Sequence, residues 1–119
     1  MKIKLPIKAL SINRAWMGRR FKTKDYKQFE EDCIKLISFS THGQTDLYEE
    51  RAVEIHYTFY IKNYSMTDVS NLVKLLEDIL VKCEIIKDDR YVISFTATKI
   101  KSKADKIVIE ILPFLTHSK

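Results

Sequence analysis

The sequence predicts a mixed α/β fold in a single domain over residues 1–119, with about four strands in one sheet and two main helices packed on it. Three observations carry that expectation. Val53, Ile55, Tyr57, Phe59 and Ile61 alternate with Glu54, His56, Thr58 and Tyr60, the period of a half-buried strand. Val69, Leu72, Val73, Leu76, Ile79 and Leu80 recur every three or four residues, the stripe of an amphipathic helix. The chain has 119 residues, enough for one core and too few for two.

Taken in order, Ile3 and Leu5 alternate with Lys2 and Lys4, so residues 2–6 read as a strand that Pro6 ends. Residues 8–24 are basic and irregular, with Lys8, Arg14, Arg19, Arg20, Lys22 and Lys24 interleaved with Trp16 and Phe21. Such a segment either contacts phosphates and bases or is a solvated loop anchored by Trp16. Gly18 fits a turn between two short arms. Tyr26, Phe29, Cys33 and then Leu36 or Ile37 give helical spacing from about 24 to Phe39, with Thr23 as the cap. Its polar side (Lys27, Glu30, Glu31, Lys35) reads as solvated. Residues 40–50 form a polar loop, and His42 within it has no partner at ligand spacing.

The strand over 52–62 leads into a helix over 69–82, which Thr67 or Asp68 can cap. At about 100° per residue, Ser70, Asn71, Lys74 and Asp78 share the side opposite the apolar stripe. Most such faces are only solvated. This one is short-chained and mixed, and acids bracket it: Asp68 at its start, Asp88 and Asp89 after a short turn. A site for a hard cation needs carboxylates so grouped. Residues 91–100 and 106–112 read as a closing hairpin, made basic near its tip by Lys99, Lys101 and Lys103.

Apolar residues make up 45% of the chain and charged residues 31%, ordinary values for a globular protein. A net charge of +5 favours an anionic partner, nucleic acid before a membrane surface. Cys33 and Cys83 lack the spacing of a zinc site and suggest reduced, buried thiols in a cytoplasmic protein. No apolar run approaches the ~20 residues of a membrane span, and the N-terminus lacks the apolar core of a signal peptide.

The stretch Asp68-Val69-Ser70-Asn71-Leu72-Val73-Lys74, then Asp78 and Leu80, then Asp88-Asp89, resembles the RusA-like Holliday junction resolvases. Leu5-Pro6 and Ser11-Ile12-Asn13-Arg14 match that family's N-terminal pattern, so the resemblance covers most of the chain. It implies an endodeoxyribonuclease that resolves four-way DNA junctions by paired nicks in recombination and repair. It further implies a homodimer with one site per cut strand and a Mg²⁺ cofactor, with Mn²⁺ as the alternative ion. No small-molecule cofactor and no membrane partner are implied.

On this reading Asp68 and Asp89 are the principal metal ligands. Asp88 or Asp78 is a further ligand, a support or a group that orients water. Lys74 holds the scissile phosphate or stabilises the leaving oxygen. Asn13, Arg14, Arg19, Arg20, Lys22, Asn71 and Lys74 contact DNA. One position departs from the pattern: Ser70 stands where the family motif has its second acid. A hydroxyl is a weaker ligand than a carboxylate. Ser70 therefore leaves open a site completed by Asp88 or Asp78, a preference for Mn²⁺, or a catalytically impaired protein that binds junctions without cutting them. A basic domain with an RNA or protein partner is a further alternative, with Tyr60 and Phe95 as its candidate stacking residues.

Overall fold

The computed structural model describes residues 1–9, 16–17, 21–22, 24–45, 47–63, 69 and 72–114, with backbone only at 16–17 and 21–22. Its elements are β1 (Lys2–Leu5), β2 (Trp16–Met17), β3 (Phe21–Lys22), α1 (Lys24–Thr41), β4 (Val53–Ile61), α2 (Leu72–Lys82), a 3₁₀ turn (Asp89–Tyr91), β5 (Val92–Lys101) and β6 (Lys106–Pro113). The expected mixed α/β architecture is present. Four strands form one sheet in the order β1-β6-β4-β5, and β2 and β3 form a separate antiparallel pair. That pair is the two-armed feature expected around Gly18, which itself lies outside the described residues.

β4 lies inside the sheet because it is apolar on one face along its whole length. Val53, Ile55, Tyr57, Phe59 and Ile61 are all buried. It pairs antiparallel with β6 (Tyr57 opposite Ile109) and parallel with β5 (Ile55 opposite Phe95), so β4 separates the two strands expected to form a closing hairpin, because its apolar face takes the central place between them. Parallel neighbours need a crossover. Residues 62–91 supply it, and they carry α2 and the acid pair. Ile3, Leu5, Ile107, Ile109 and Ile111 extend the buried face, and the apolar stripes of both helices close the core over it.

α1 buries Tyr26, Phe29, Cys33, Ile37 and Thr41, a step of three and then of four. The stripe thus continues through Ile37 to Thr41, two residues past the expected end, and Phe39 is 82% exposed. Thr41 satisfies its hydroxyl by donating to the Ile37 carbonyl at 3.0 Å. The helix stops because His42 turns into the left-handed region (φ 55°), with Gly43 donating to the Ser38 carbonyl at 2.9 Å. This is the usual six-to-one closure of a helix end, with a histidine where glycine is common. His42 therefore sits in a turn, as expected.

α2 begins at Leu72 rather than 69, and Val69 accepts from the Leu72 amide at 3.0 Å just before it. Leu72, Val73, Leu75, Leu76, Ile79 and Leu80 are buried. The helix ends in the same way as α1: Glu84 adopts φ 59°, and Ile85 donates to the Leu80 carbonyl at 3.0 Å. Ile85 and Ile86 then pack into the core and pull the chain back. Cys33 is buried as expected, but Cys83 lies in this turn and is only half-buried. Lys82 pairs with Glu30 at 3.1 Å, tying the end of α2 to α1.

Candidate active site

The reversal after α2 builds the site. Lys74 and Asp78 are one turn apart on the exposed side of α2, and their side chains pair at 3.3 Å. The Ile85–Ile86 anchor returns the chain so that Asp89 reaches the same lysine, accepting from Lys74 Nζ at 2.7 Å. Two carboxylates from different elements therefore converge on one cation position. Asp88 precedes Asp89 in extended conformation and caps the 3₁₀ turn, its Oδ1 accepting from the Arg90 amide at 3.1 Å. Arg90 in turn reaches the Tyr91 hydroxyl at 3.2 Å.

The electrostatics follow from this geometry. The Lys74 hydrogen bond holds the Asp89 carboxyl below its usual range. The bonds to Asp89 and Asp78 raise Lys74 in return. Glu77 responds in the opposite sense: burial raises its carboxyl first, and Asp89 and Asp78 add to the effect. Sequence reasoning singled out Asp78 and passed over Glu77. The available signal was its place at the border between the apolar and polar sides of α2, next to Asp78. Tyr57, buried on β4, feels the Glu77 charge, and its hydroxyl has no hydrogen-bond partner among the described residues.

Of the residues selected from sequence, the structure brings together Lys74, Asp78 and Asp89, with Asp88 adjacent as a cap. Asp68, Ser70, Asn71, Asn13, Arg14, Arg19 and Arg20 lie outside the described residues, as does the side chain of Lys22. The donor chemistry suits a hard divalent cation, since carboxylate oxygens are its preferred ligands. Lys74 faces Asp78 and Asp89, and the Arg90 guanidinium faces Asp88, so two cations stand against these three acids. Among the described residues no group of three or more His, Cys, Asp or Glu side chains is close enough to hold a metal. A metal site at this position would need a further donor from outside the described residues, where Asp68 lies. His56 belongs elsewhere, on the far face of the sheet, with its ring nitrogens against Thr96 Oγ1 at 2.7 Å and Glu54 at 3.1 Å.

Lys74 thus joins Asp78 on α2 to Asp89 on the following turn, in a chain of net charge +5. Residues 8–112 match the protein family described as endodeoxyribonuclease RusA, and the chain belongs to that family. It is also similar to the crossover junction endodeoxyribonuclease RusA of Aquifex aeolicus (strain VF5), with 27% identity over 113 residues, spanning 93% of this chain and 87% of that relative. Among the described residues, no helix is long and apolar enough to cross a membrane.

Proposed function

We propose that this chain is one nuclease domain over residues 1–119, a divalent-metal-dependent endodeoxyribonuclease that cuts four-way DNA junctions by paired nicks. The observation that carries the reading is Lys74 joining Asp78 to Asp89. It draws motif positions from a helix and a separate turn into one cluster, within a chain of the RusA family.

Asp89 and Asp68 are the principal ligands of a Mg²⁺ or Mn²⁺ ion, and Asp78 and Asp88 support them. Bound metal supplies charge stabilisation at phosphate and a water acidic enough to attack it. The chain's own residues do the rest. Asp89, kept ionised by its neighbour, stays an acceptor across the neutral range. Lys74, a compact cation, exchanges a carboxylate partner for the scissile phosphate when DNA arrives. Asn13, Arg14, Arg19, Arg20, Lys22 and Asn71 hold the DNA backbone. Two symmetric cuts call for two sites, so the active form is a homodimer. Its setting is cytoplasmic DNA recombination and repair, where free thiols such as Cys33 and Cys83 persist.

Ser70 supports a second reading: junction binding without cleavage. The test is cleavage of a synthetic four-way junction by the unsubstituted chain and by Ser70→Asp, each with Mg²⁺ and with Mn²⁺. Symmetric nicking by the unsubstituted chain is expected. If only Ser70→Asp cuts, the second reading holds. If neither cuts, the nuclease reading is wrong.

A further inference from the structure

β5 and β6 lie on either side of β4, so the link between them crosses the end of β4 instead of projecting as a hairpin tip. Two hydrogen bonds seat it there. The Ser102 amide donates to the Ile61 carbonyl at 3.0 Å, and the Asp105 carboxylate accepts from the Lys62 amide at 2.9 Å. This seated link gathers lysines from separate segments at one end of the sheet. Lys62 follows β4, Lys101 ends β5, Lys103 lies in the link and Lys106 opens β6, and all four are exposed. The only acid between Lys99 and Lys106 is Asp105, whose carboxylate is already turned to the Lys62 amide. A face kept only for solubility mixes both signs, and this one does not. Lys106 stands over the Tyr60 ring, 4.7 Å from its centroid, so that face of the ring is not offered to a base. Compact ammonium groups without an open aromatic suit phosphates, which carry no sequence information, better than base edges.

The position of this platform relative to the acids is set by β5. The turn carrying Asp89 leads directly into the strand, and the strand ends at Lys101. Its ten residues span about 30 Å at ~3.3 Å each. At ~3.4 Å per base pair that is about nine base pairs of duplex. We propose that the platform of Lys62, Lys101, Lys103 and Lys106 grips the phosphate backbone of a junction arm that leaves the acid cluster along β5, about eight to ten base pairs from the branch point. It is a DNA contact remote from the cut. It anchors the arm and takes no part in the chemistry, so its loss appears in binding and not in the rate at saturating DNA. The inference rests on the junction-cutting reading above for its ligand.

The test uses the full chain and a synthetic four-way junction with arms of about 15 base pairs, long enough to pass the platform, bound without metal. Lys101→Gln combined with Lys103→Gln should weaken binding about tenfold or more at low salt. It should also flatten the dependence of log Kd on log salt by about two, the mark of two lost phosphate contacts. Both side chains are exposed, so the circular dichroism spectrum should not change. Lys27→Gln combined with Lys35→Gln removes the same charge from α1 and should leave binding nearly unchanged. Neutral methylphosphonate linkages about eight to ten base pairs from the branch point should reproduce the loss with the unsubstituted chain and add little to it in the Lys101, Lys103 variant. The same linkages about three base pairs from the branch point should weaken both proteins alike. Equal losses from the two lysine pairs, or full additivity of the distant linkages with the platform variant, overturns the inference and leaves the nuclease reading intact. The expected binding pattern in a chain that never nicks upholds the platform and overturns the nuclease reading. A chain that binds no junction overturns both.

Discussion

α1 and α2 pack on the same face of the same sheet, yet their polar sides differ in kind. α1 is the longer helix, and its outward groups make local contacts such as Gln28 to Asp32 at 2.9 Å. Glu30 pairs with Lys82 at 3.1 Å and so joins helix to helix. α2 is shorter and more deeply buried, and its outward pair of Lys74 and Asp78 is met by Asp89 from a separate turn. Periodicity treats the two helices alike. The difference comes from what the chain does afterwards: it leaves α1 for a loop, but after α2 it doubles back to lay acids against the exposed face. A polar face becomes a site when a second element brings charge to it.

The largest effect expected from this contrast is on activity. Lys74→Ala should lower junction nicking about 100-fold, the scale of losing one charge-stabilising group. Glu31→Ala and Lys35→Ala on α1 should leave nicking unchanged in the same assay. Equal losses from both helices would erase the distinction. Next comes the fold that brings the acids back. Ile86→Ala removes a buried anchor and should cost about 2–5 kcal/mol in urea unfolding, with nicking reduced even where the protein stays folded.

Acidification gives a smaller effect of defined sign. The Asp89 carboxyl lies below its unfolded value, so its pair with Lys74 stabilises above the ordinary carboxylate range near ~3.9 and is lost as pH falls through the lowered value. Any stability gap between the unsubstituted chain and Lys74→Ala should therefore close at strongly acidic pH, as read by unfolding midpoints. A gap that widens there would mean the pair is misassigned. The smallest change is Glu84→Gly, which relieves a left-handed non-glycine residue and should stabilise by about 0.5–1 kcal/mol, leaving nicking intact.

The strong periodicities were legible in the sequence. β4 announces itself by five alternating apolar residues, and α1 by Tyr26, Phe29, Cys33 and Ile37. Their ends were harder to place, because both helices close through non-glycine residues, His42 and Glu84, in conformations that composition does not signal. The sheet order and the parallel match of β4 with β5 depend on contacts distant in sequence, and no local pattern encodes them. At the site, Lys74 and Asp78 could be placed together by helical spacing. Their union with Asp89 needed the turn at Glu84 and the burial of Ile85 and Ile86. Glu77 went unnoticed because its environment comes from burial and from the charges around it, Lys74, Asp89 and Asp78, rather than from its own spacing.

The most direct test of the central claim is nicking of a synthetic four-way junction in Mg²⁺ by the unsubstituted chain and by Asp89→Asn, with junction binding measured in parallel. If Asp89 is a ligand of the catalytic metal, the substitution should abolish nicking, by about 100-fold or more, while binding persists. Full nicking by Asp89→Asn would contradict the assignment of the cluster around Lys74 as the active site.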